Sequence, residues 1–307
     1  MGEPAGGQVS DAARQRLPPA SLILASRNRP GLLGATVASI LEADELPSEL
    51  IIIDQSDEPN TELAGLASPP GCAVRYRPTR SKGLSRANNE GVAAAHHDVL
   101  VFTHDDVRVT PGWFGTLVRA LERAGPRAVV TGRVLPGAVG EGFAPSTISS
   151  EVSRVYEGRI GMDILYPMSL ALYRSALEET GPFDERLGPG TPFPAAEDNE
   201  LAHRLLEAGY RIVYDADAVL YHLAWRTRRE YLPLKWSYGR GQGAFYGKHI
   251  DLRDRYVLWR FARELTQRSG RFLRLLPRQP RRAAGQIVCA FGVVSGFTQW
   301  LLTRPRD

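Results

Sequence analysis

The chain has 307 residues, 43% hydrophobic and 23% charged, enough for a sizeable core in one large or two smaller domains and against wholesale disorder. Its two cysteines, Cys72 and Cys289, stand far apart, which disfavours a disulfide framework or a cysteine-ligated zinc and favours a reducing compartment. The net charge of +4 is uneven: between Asp251 and Arg282 ten arginines face three acids.

No charged-then-apolar segment opens the chain in the manner of a secretory signal, and residues 1–19, rich in Gly, Ala, Gln and Pro, read as a flexible lead-in. Residues 20–25 form a short apolar run closed by Ser26-Arg27-Asn28-Arg29-Pro30, and a helical pattern follows over 32–41. The next strand is 50–53, closed by Asp54-Gln55-Ser56-Asp57. A loop at 68–71 leads to a third strand at 74–77 and a helix over 83–95 with Ser85 as a candidate cap. A strand at 99–103, a helix over 113–123 after Pro111-Gly112, and a strand at 128–134 come next. Residues 137–161 show no clear period. Residues 164–173 are apolar again, followed by a short helix at 175–180, a rigid Gly-Pro-Gly-Thr-Pro-Phe-Pro loop at 188–194, a helix over 197–208 ended by Gly209, and a strand at 210–214. Alternating strands and helices predict an α/β fold with a mostly parallel, doubly wound, Rossmann-like sheet and a C-terminal helical extension.

The arginine-rich stretch runs into residues 283–302, which are largely apolar, with Arg304 and Arg306 beyond. Two readings stand: an amphipathic helix packed on the core with a solvated basic face, or a helix lying on or dipping into an anionic membrane surface through residues 271–303. No nucleic-acid-binding motif accompanies the basic charge, so no nucleic-acid partner is expected.

Ser26-Arg27-Asn28, Asp54 and His104-Asp105-Asp106 all fall at predicted strand ends. In a parallel sheet those ends share one edge, where open α/β folds bind ligands. Adjacent carboxylates repel unless a cation or hydrogen-bond donors sit among them, and hard oxygen ligands suit Mg2+ or Mn2+. The absence of G-x-G-x-x-G after the first strand and of G-x-x-x-x-G-K-[ST] anywhere disfavours a dinucleotide oxidoreductase and a P-loop NTPase. Glu197-Asp198 reads either as acids favouring a helix N-terminus or as a carboxylate able to deprotonate a hydroxyl. His222, after the strand-like 218–221, is either structural or a ligand completing a metal shell.

Taken in order, Ser-Arg-Asn-Arg-Pro, Ile-Ile-Ile-Asp-Gln-Ser, Gly-Leu-Ser-Arg-Ala-Asn-Asn-Glu-Gly, Phe-Thr-His-Asp-Asp-Val, Gly-Pro-Phe-Asp-Glu-Arg-Leu-Gly and Ala-Glu-Asp-Asn-Glu-Leu-Ala-His-Arg-Leu closely resemble the bacterial family 2 glycosyltransferases, of GT-A nucleotide-sugar fold. The resemblance covers residues 20–249, with a nucleotide-binding half over about 20–110 and an acceptor half over about 111–249, and leaves 250–307 as a basic helical segment. It implies that Asp54 contacts the base, that Asn88 and Asn89 lie in the segment lining the nucleotide pocket, and that Ser26 and Asn28 belong to the donor site. His104, Asp105 and Asp106 occupy the D-x-D site, with Asp106 as metal ligand; His104 stands where many members have Asp, and Asn88 where many have Arg. Asp198 is then the general base with Glu197 beside it, His222 a further metal ligand, and Arg240 a contact to the diphosphate. The implied function is metal-dependent (Mn2+ or Mg2+), inverting hexosyl or deoxyhexosyl transfer. The donor is a nucleotide-diphosphate sugar and the acceptor a hydroxyl of a glycan, a lipid-linked or a small molecule, in cell-surface glycan, glycolipid or secondary-metabolite glycosylation. The expected place is the cytoplasm, peripheral on the inner face of the cell membrane where the basic segment meets lipid. The rivals are a non-catalytic nucleotide-sugar-binding module of the same fold and a sugar nucleotidyltransferase, which would carry a Gly-rich, Lys/Arg-bearing loop in place of residues 26–31.

Overall fold

Residues Ala20–Ser26 (β1) are buried throughout, as a strand covered on both faces must be. A computed structural model of the chain describes residues 16–137 and 142–303; the part of the expected lead-in over 1–15, and Arg304 and Arg306, lie outside the described residues. Helix α1 (Pro30–Leu41) follows β1, then β2 (Glu49–Asp54), a single turn α2 (Thr61–Ala64), β3 (Ala73–Pro78), α3 (Leu84–Ala94) and β4 (Val99–His104). These four strands lie in the order β3-β2-β1-β4, all parallel. Alternation splits β1 between two cores. Leu22 and Leu24 pack with Leu33, Val37 and Trp113 on one face, while Ile23 and Ala25 pack with Ala87, Leu201 and Leu205 on the other.

The chain continues through β5 (Val107–Val109), α4 (Trp113–Ala124), β6 (Ala128–Gly137), β7 (Arg154–Tyr156), β8 (Leu170–Tyr173), α5 (Arg174–Thr180), α6 (Glu197–Glu207) and β9 (Arg211–Leu223). Beyond β4 the sheet is mixed: β8 is antiparallel to both β4 and β6, and β9 is parallel to β6 but antiparallel to β5 and β7. Antiparallel neighbours need no crossover helix, so the segment without helical period between β6 and β8 suffices to reverse the chain.

Two local expectations change. Ser85 does not cap α3; Gly83 holds the cap position, and Ser85 Oγ donates 2.7 Å to the Leu187 carbonyl, tying the helix to the 188–194 loop. The patterns at 210–214 and 218–221 are one strand of 13 residues. Its register against β6 shifts between Gly132 and Arg133, where Gly132 faces Asp215 but Arg133 faces Val219, so the Asp-Ala-Asp that reads as a break is a bulge. His222 therefore lies within β9, paired with Val107 of β5.

Three helices complete the chain: α7 (Tyr231–His249), α8 (Arg255–Leu275) and α9 (Pro280–Thr303). Helix α8 is fastened to the 159–163 loop by Arg260 to Asp163 at 2.7 Å and by the Tyr256 hydroxyl donating 2.5 Å to the Ile160 carbonyl. Helices α7 and α9 approach closely through glycines. A Cβ at Gly243 would run into the Val293 carbonyl oxygen, and one at Gly296 into that of Arg240. Gly243→Ala is expected to destabilise the chain by about 1–3 kcal/mol, the usual cost of overpacking; an unchanged denaturation midpoint would show that the two helices are not held at this distance. Among the described residues α9 is the one helix long and apolar enough to cross a membrane, with mean hydropathy 1.3 over its best 18-residue window, of which 33% is buried against the chain.

Candidate active site

The parallel half of the sheet aligns Ser26 with Asp54 and Ala25 with His104, so the ends of β1, β2 and β4 share one edge. Over this edge lies a cavity of about 580 Å³. The turn after β4, with Ser26, Arg29 and His222, lines it together with the start of α6 and the Pro189-Gly190 turn.

The Asp105-Asp106 turn is locked from below. Thr36 Oγ1 of α1 lies 2.9 Å and 2.7 Å from the carbonyls of Asp105 and Val107, and accepts the Val107 N–H at 3.2 Å. Asp105 Oδ2 accepts from Ser26 Oγ at 2.7 Å. Asp106 Oδ2 accepts from Arg29 Nη1 at 3.0 Å and from the Trp225 indole at 2.9 Å, and His222 Nε2 stands 3.5 Å away. Burial pushes Asp105 up to about 7 against the opposing pull of Arg29. Burial acts the same way on Asp106, but His222 and Arg29 outweigh it and hold that carboxyl well below the usual carboxylate range. The pair thus divides into one carboxylate that keeps its charge and one that readily takes a proton. Burial lowers His104 to about 4, so its imidazole is neutral.

Asp105 Oδ1, Asp106 Oδ1, His104 Nε2 and His222 Nδ1 are buried without a hydrogen-bond partner in the protein. Orphaned acceptors in a polar cavity mark a place where a ligand completes the bonding. The set fits a hard divalent ion. Two donors about 2.1 Å from one octahedral ion sit about 3 Å apart, and His222 Nε2 and Asp106 Oδ2 stand 3.5 Å apart. No cluster of three or more His, Cys, Asp or Glu side chains able to hold a metal occurs among the described residues. Asp106 and His222 would hold such an ion only with phosphate oxygens and water, the usual state of Mg2+ beside a nucleotide.

Glu197 and Asp198, which also line the cavity, open α6 after Ala196 in the left-handed region at φ 69. A non-glycine residue held there stores strain, as active-site backbones often do. Glu197 is the more buried; Asp198 is more open, and its Oδ1 accepts from the Asn199 N–H at 2.8 Å. Gly188, at φ 98, brings the loop so close that a Cβ there would sit 3.2 Å from the Glu197 carboxyl carbon. Burial raises Glu197 to about 7, and burial together with the neighbouring Glu197 raises Asp198.

The fold thus brings Ser26, His104, Asp105, Asp106, Glu197, Asp198 and His222 to one cavity. It does not bring the others there. Asn28, at φ 54, is bonded to Asp57 and Ser56. The Asp54 carboxylate is consumed by Ser56 and by the Tyr76 hydroxyl at 2.6 Å. Asn88 is buried within α3, and Asn89 clamps Phe183, accepting its N–H and donating to its carbonyl at 3.0 Å each. Arg240 turns away toward α9, where its guanidinium bonds Gln299. In each case helix rotation or a local turn, invisible in sequence spacing, aims the side chain elsewhere. Arg29, Trp225 and Arg226 join the site unforeseen; Arg226 stacks 4.4 Å from the Trp225 ring and lines the cavity. Their signal was adjacency alone: Arg29 follows the strand-end motif, and Trp225 lies three residues after His222.

A parallel half-sheet joined to a mixed half, with two acidic groups lining one cavity over the sheet edge, defines a GT-A architecture. The model of the glycosyl transferase family 2 matches residues 21–181, and the chain belongs to that family. It is 28% identical over 188 residues to the pre-mycofactocin glycosyltransferase of two Mycobacterium tuberculosis strains, a match covering 56% of this chain and 36% of that protein. The chain thus spans little more than a third of the length of these curated relatives. Among solved structures it is similar to the mannosyltransferase PcManGT from Pyrobaculum calidifontis in complex with GDP-Man and Mn2+, with TM-score 0.60, 16% identity and 91% of this chain and 88% of that one covered. It is also similar to GalNAc-T7 with UDP, GalNAc and Mn2+, with TM-score 0.55, 17% identity and 69% and 44% covered. At such identities the likeness shows the fold.

Proposed function

We propose that this chain transfers a hexosyl or deoxyhexosyl group from a nucleotide-diphosphate sugar to an acceptor hydroxyl with inversion of the anomeric centre. The observation that carries the reading is the convergence of Asp106 and His222 with Glu197 and Asp198 on a single cavity. A Mn2+ or Mg2+ ion, when bound by Asp106, His222 and the diphosphate, supplies Lewis acidity that takes up charge on the leaving group.

The chain's own groups account for the rest. Asp198, its carboxyl raised by burial and by Glu197 and the more open of the pair, accepts the proton of the acceptor hydroxyl as that oxygen attacks the anomeric carbon from the face opposite the diphosphate. Glu197 lies deeper, and its negative charge raises the Asp198 carboxyl. Arg226, stacked on Trp225, adds a cation to the cavity for the departing diphosphate. The acceptor is a glycan, a lipid-linked or a small molecule. The deciding experiment is transfer from a panel of nucleotide sugars with Mn2+, run beside the Asp198→Asn variant; a chain that binds nucleotides but turns over no donor is a binding module.

We also assign the C-terminal helices to the inner face of the cell membrane. Arg271, Arg274, Arg278, Arg281 and Arg282 are exposed beside Leu273 and Phe291, which are 68% and 67% exposed. Basic and apolar side chains together suit an anionic lipid surface. The full chain is expected to float with phosphatidylglycerol-containing vesicles and not with pure phosphatidylcholine. Leu273→Glu with Phe291→Glu should abolish flotation, and equal flotation of both proteins would refute the assignment.

A further inference from the structure

Arg29 is the one arginine or lysine paired with the carboxylates of the Asp105-Asp106 turn among the described residues, and the backbone before it is built to put it there. Asn28 is held in the left-handed region at φ 54 by Ser56 Oγ accepting its N–H at 2.7 Å and by two bonds with Asp57, at 2.8 Å and 2.9 Å. Pro30 opens α1 immediately afterwards. Between this staple and the helix, Arg29 reaches over the sheet edge. Its Nη1 lies 3.0 Å from Asp106 Oδ2 and 3.2 Å from Asp105 Oδ1, and its guanidinium rests 5.1 Å from the Trp225 ring centre. The two carboxylates are 1% and 8% exposed, whereas Arg29 is 31% exposed and faces the cavity. The anions are fixed, and the cation has room to move.

We propose that Arg29 is a resident counter-cation for the metal-binding carboxylates: it competes with the divalent ion for Asp106 and passes to the donor diphosphate when ion and nucleotide enter together. The inference rests on reading the cavity as a nucleotide-sugar site. Two buried carboxylates side by side need positive charge among them to stay ordered. The oxygen that Arg29 occupies is the one nearest His222, so guanidinium and ion claim the same lone pairs and repel each other. Once displaced, the guanidinium finds in a diphosphate the planar, two-point partner that arginine matches best. The exchange keeps the empty site assembled, makes it a poor trap for free metal, and couples ion uptake to donor binding. The staple at Asn28 then explains why an asparagine outside the cavity belongs to the site: it aims Arg29.

The test measures free Mn2+ by electron paramagnetic resonance during titration of the full chain, wild type against Arg29→Met and Arg29→Lys, with thermal unfolding to confirm folding. Without nucleotide, Arg29→Met is expected to bind Mn2+ about tenfold more tightly or better, since a unit charge a few ångströms from the ion has gone. At saturating Mn2+ the same variant should bind GDP and UDP about tenfold more weakly, and Arg29→Lys should fall between in both assays. Mn2+ binding unchanged or weakened in the folded variants overturns the competition, and unchanged nucleotide binding overturns the transfer to diphosphate. Should Arg29→Met fail to fold, Arg29→Lys decides on the same criteria. Wild-type protein that takes up neither Mn2+ nor any nucleoside diphosphate overturns the nucleotide-sugar reading itself, and the exchange with it.

Discussion

Asp198→Asn is expected to lower kcat by about 10²–10⁴-fold, the usual contribution of a positioned general base, with Mn2+-dependent nucleotide binding retained. The amide keeps the side chain's size and still accepts the Asn199 N–H, so the start of α6 stays formed. What is lost is the ability to take a proton. The pH profile should separate this role from a structural one. Burial raises Glu197 to about 7 and, with Glu197 beside it, raises Asp198 as well, so wild-type kcat should climb as rising pH deprotonates the pair. The residual activity of Asp198→Asn should lose that limb. Stability moves the other way. With folded pKa values above the unfolded ones, the native state holds protons that the unfolded chain has released, so stability is highest below the ordinary carboxyl range and falls until the pH passes about 7. Glu197→Gln should remove the Glu197 share of that slope and stabilise the chain above neutrality by on the order of 2–3 kcal/mol. Near-wild-type turnover in Asp198→Asn would show that another group takes the proton.

Asp106→Asn is expected to reduce kcat/KM by about 10²-fold or more, the scale for removing one charge-stabilising group, and to abolish the Mn2+ dependence of nucleotide binding. Trp225 can still donate to the amide oxygen and Asp105 still faces Arg29, so the turn remains in place and the loss is electrostatic. Calorimetry with GDP and UDP, with and without Mn2+, checks this directly: a variant whose nucleotide affinity still rises with Mn2+ would place the ion elsewhere. The two substitutions should also differ in kind. Asp198→Asn acts on kcat alone, whereas Asp106→Asn removes binding of the donor as well as stabilisation of the leaving group, so KM rises too.

Much of this is legible along the chain itself. The buried run of β1, the acidic turn after β4 and the Glu197-Asp198 pair are local features: apolar periodicity sets the element, and the residue after a strand falls at its edge. The shift of β9 against β6 is not legible, because Asp215-Ala-Asp reads as a break while the partner strand turns it into a bulge. That shift carries the strand as far as His222, which then pairs opposite Val107, beside Asp106. Nor is the aim of Asn89 or Arg240 legible, since each points where its helix packs: one toward Phe183, the other toward α9.

The sequence by itself determined the family, the alternating α/β order and the Asp105-Asp106 and Glu197-Asp198 pairs that line the cavity, because each depends on residues close together along the chain. The tertiary structure decided which cation meets those carboxylates, that His222 stands 3.5 Å from Asp106, that Trp225 bonds Asp106 and that Arg226 lines the cavity. These depend on strand register, on helix rotation and on a left-handed Asn28 that turns Arg29 inward. All three are fixed by packing between segments far apart in sequence, where spacing along the chain carries no information.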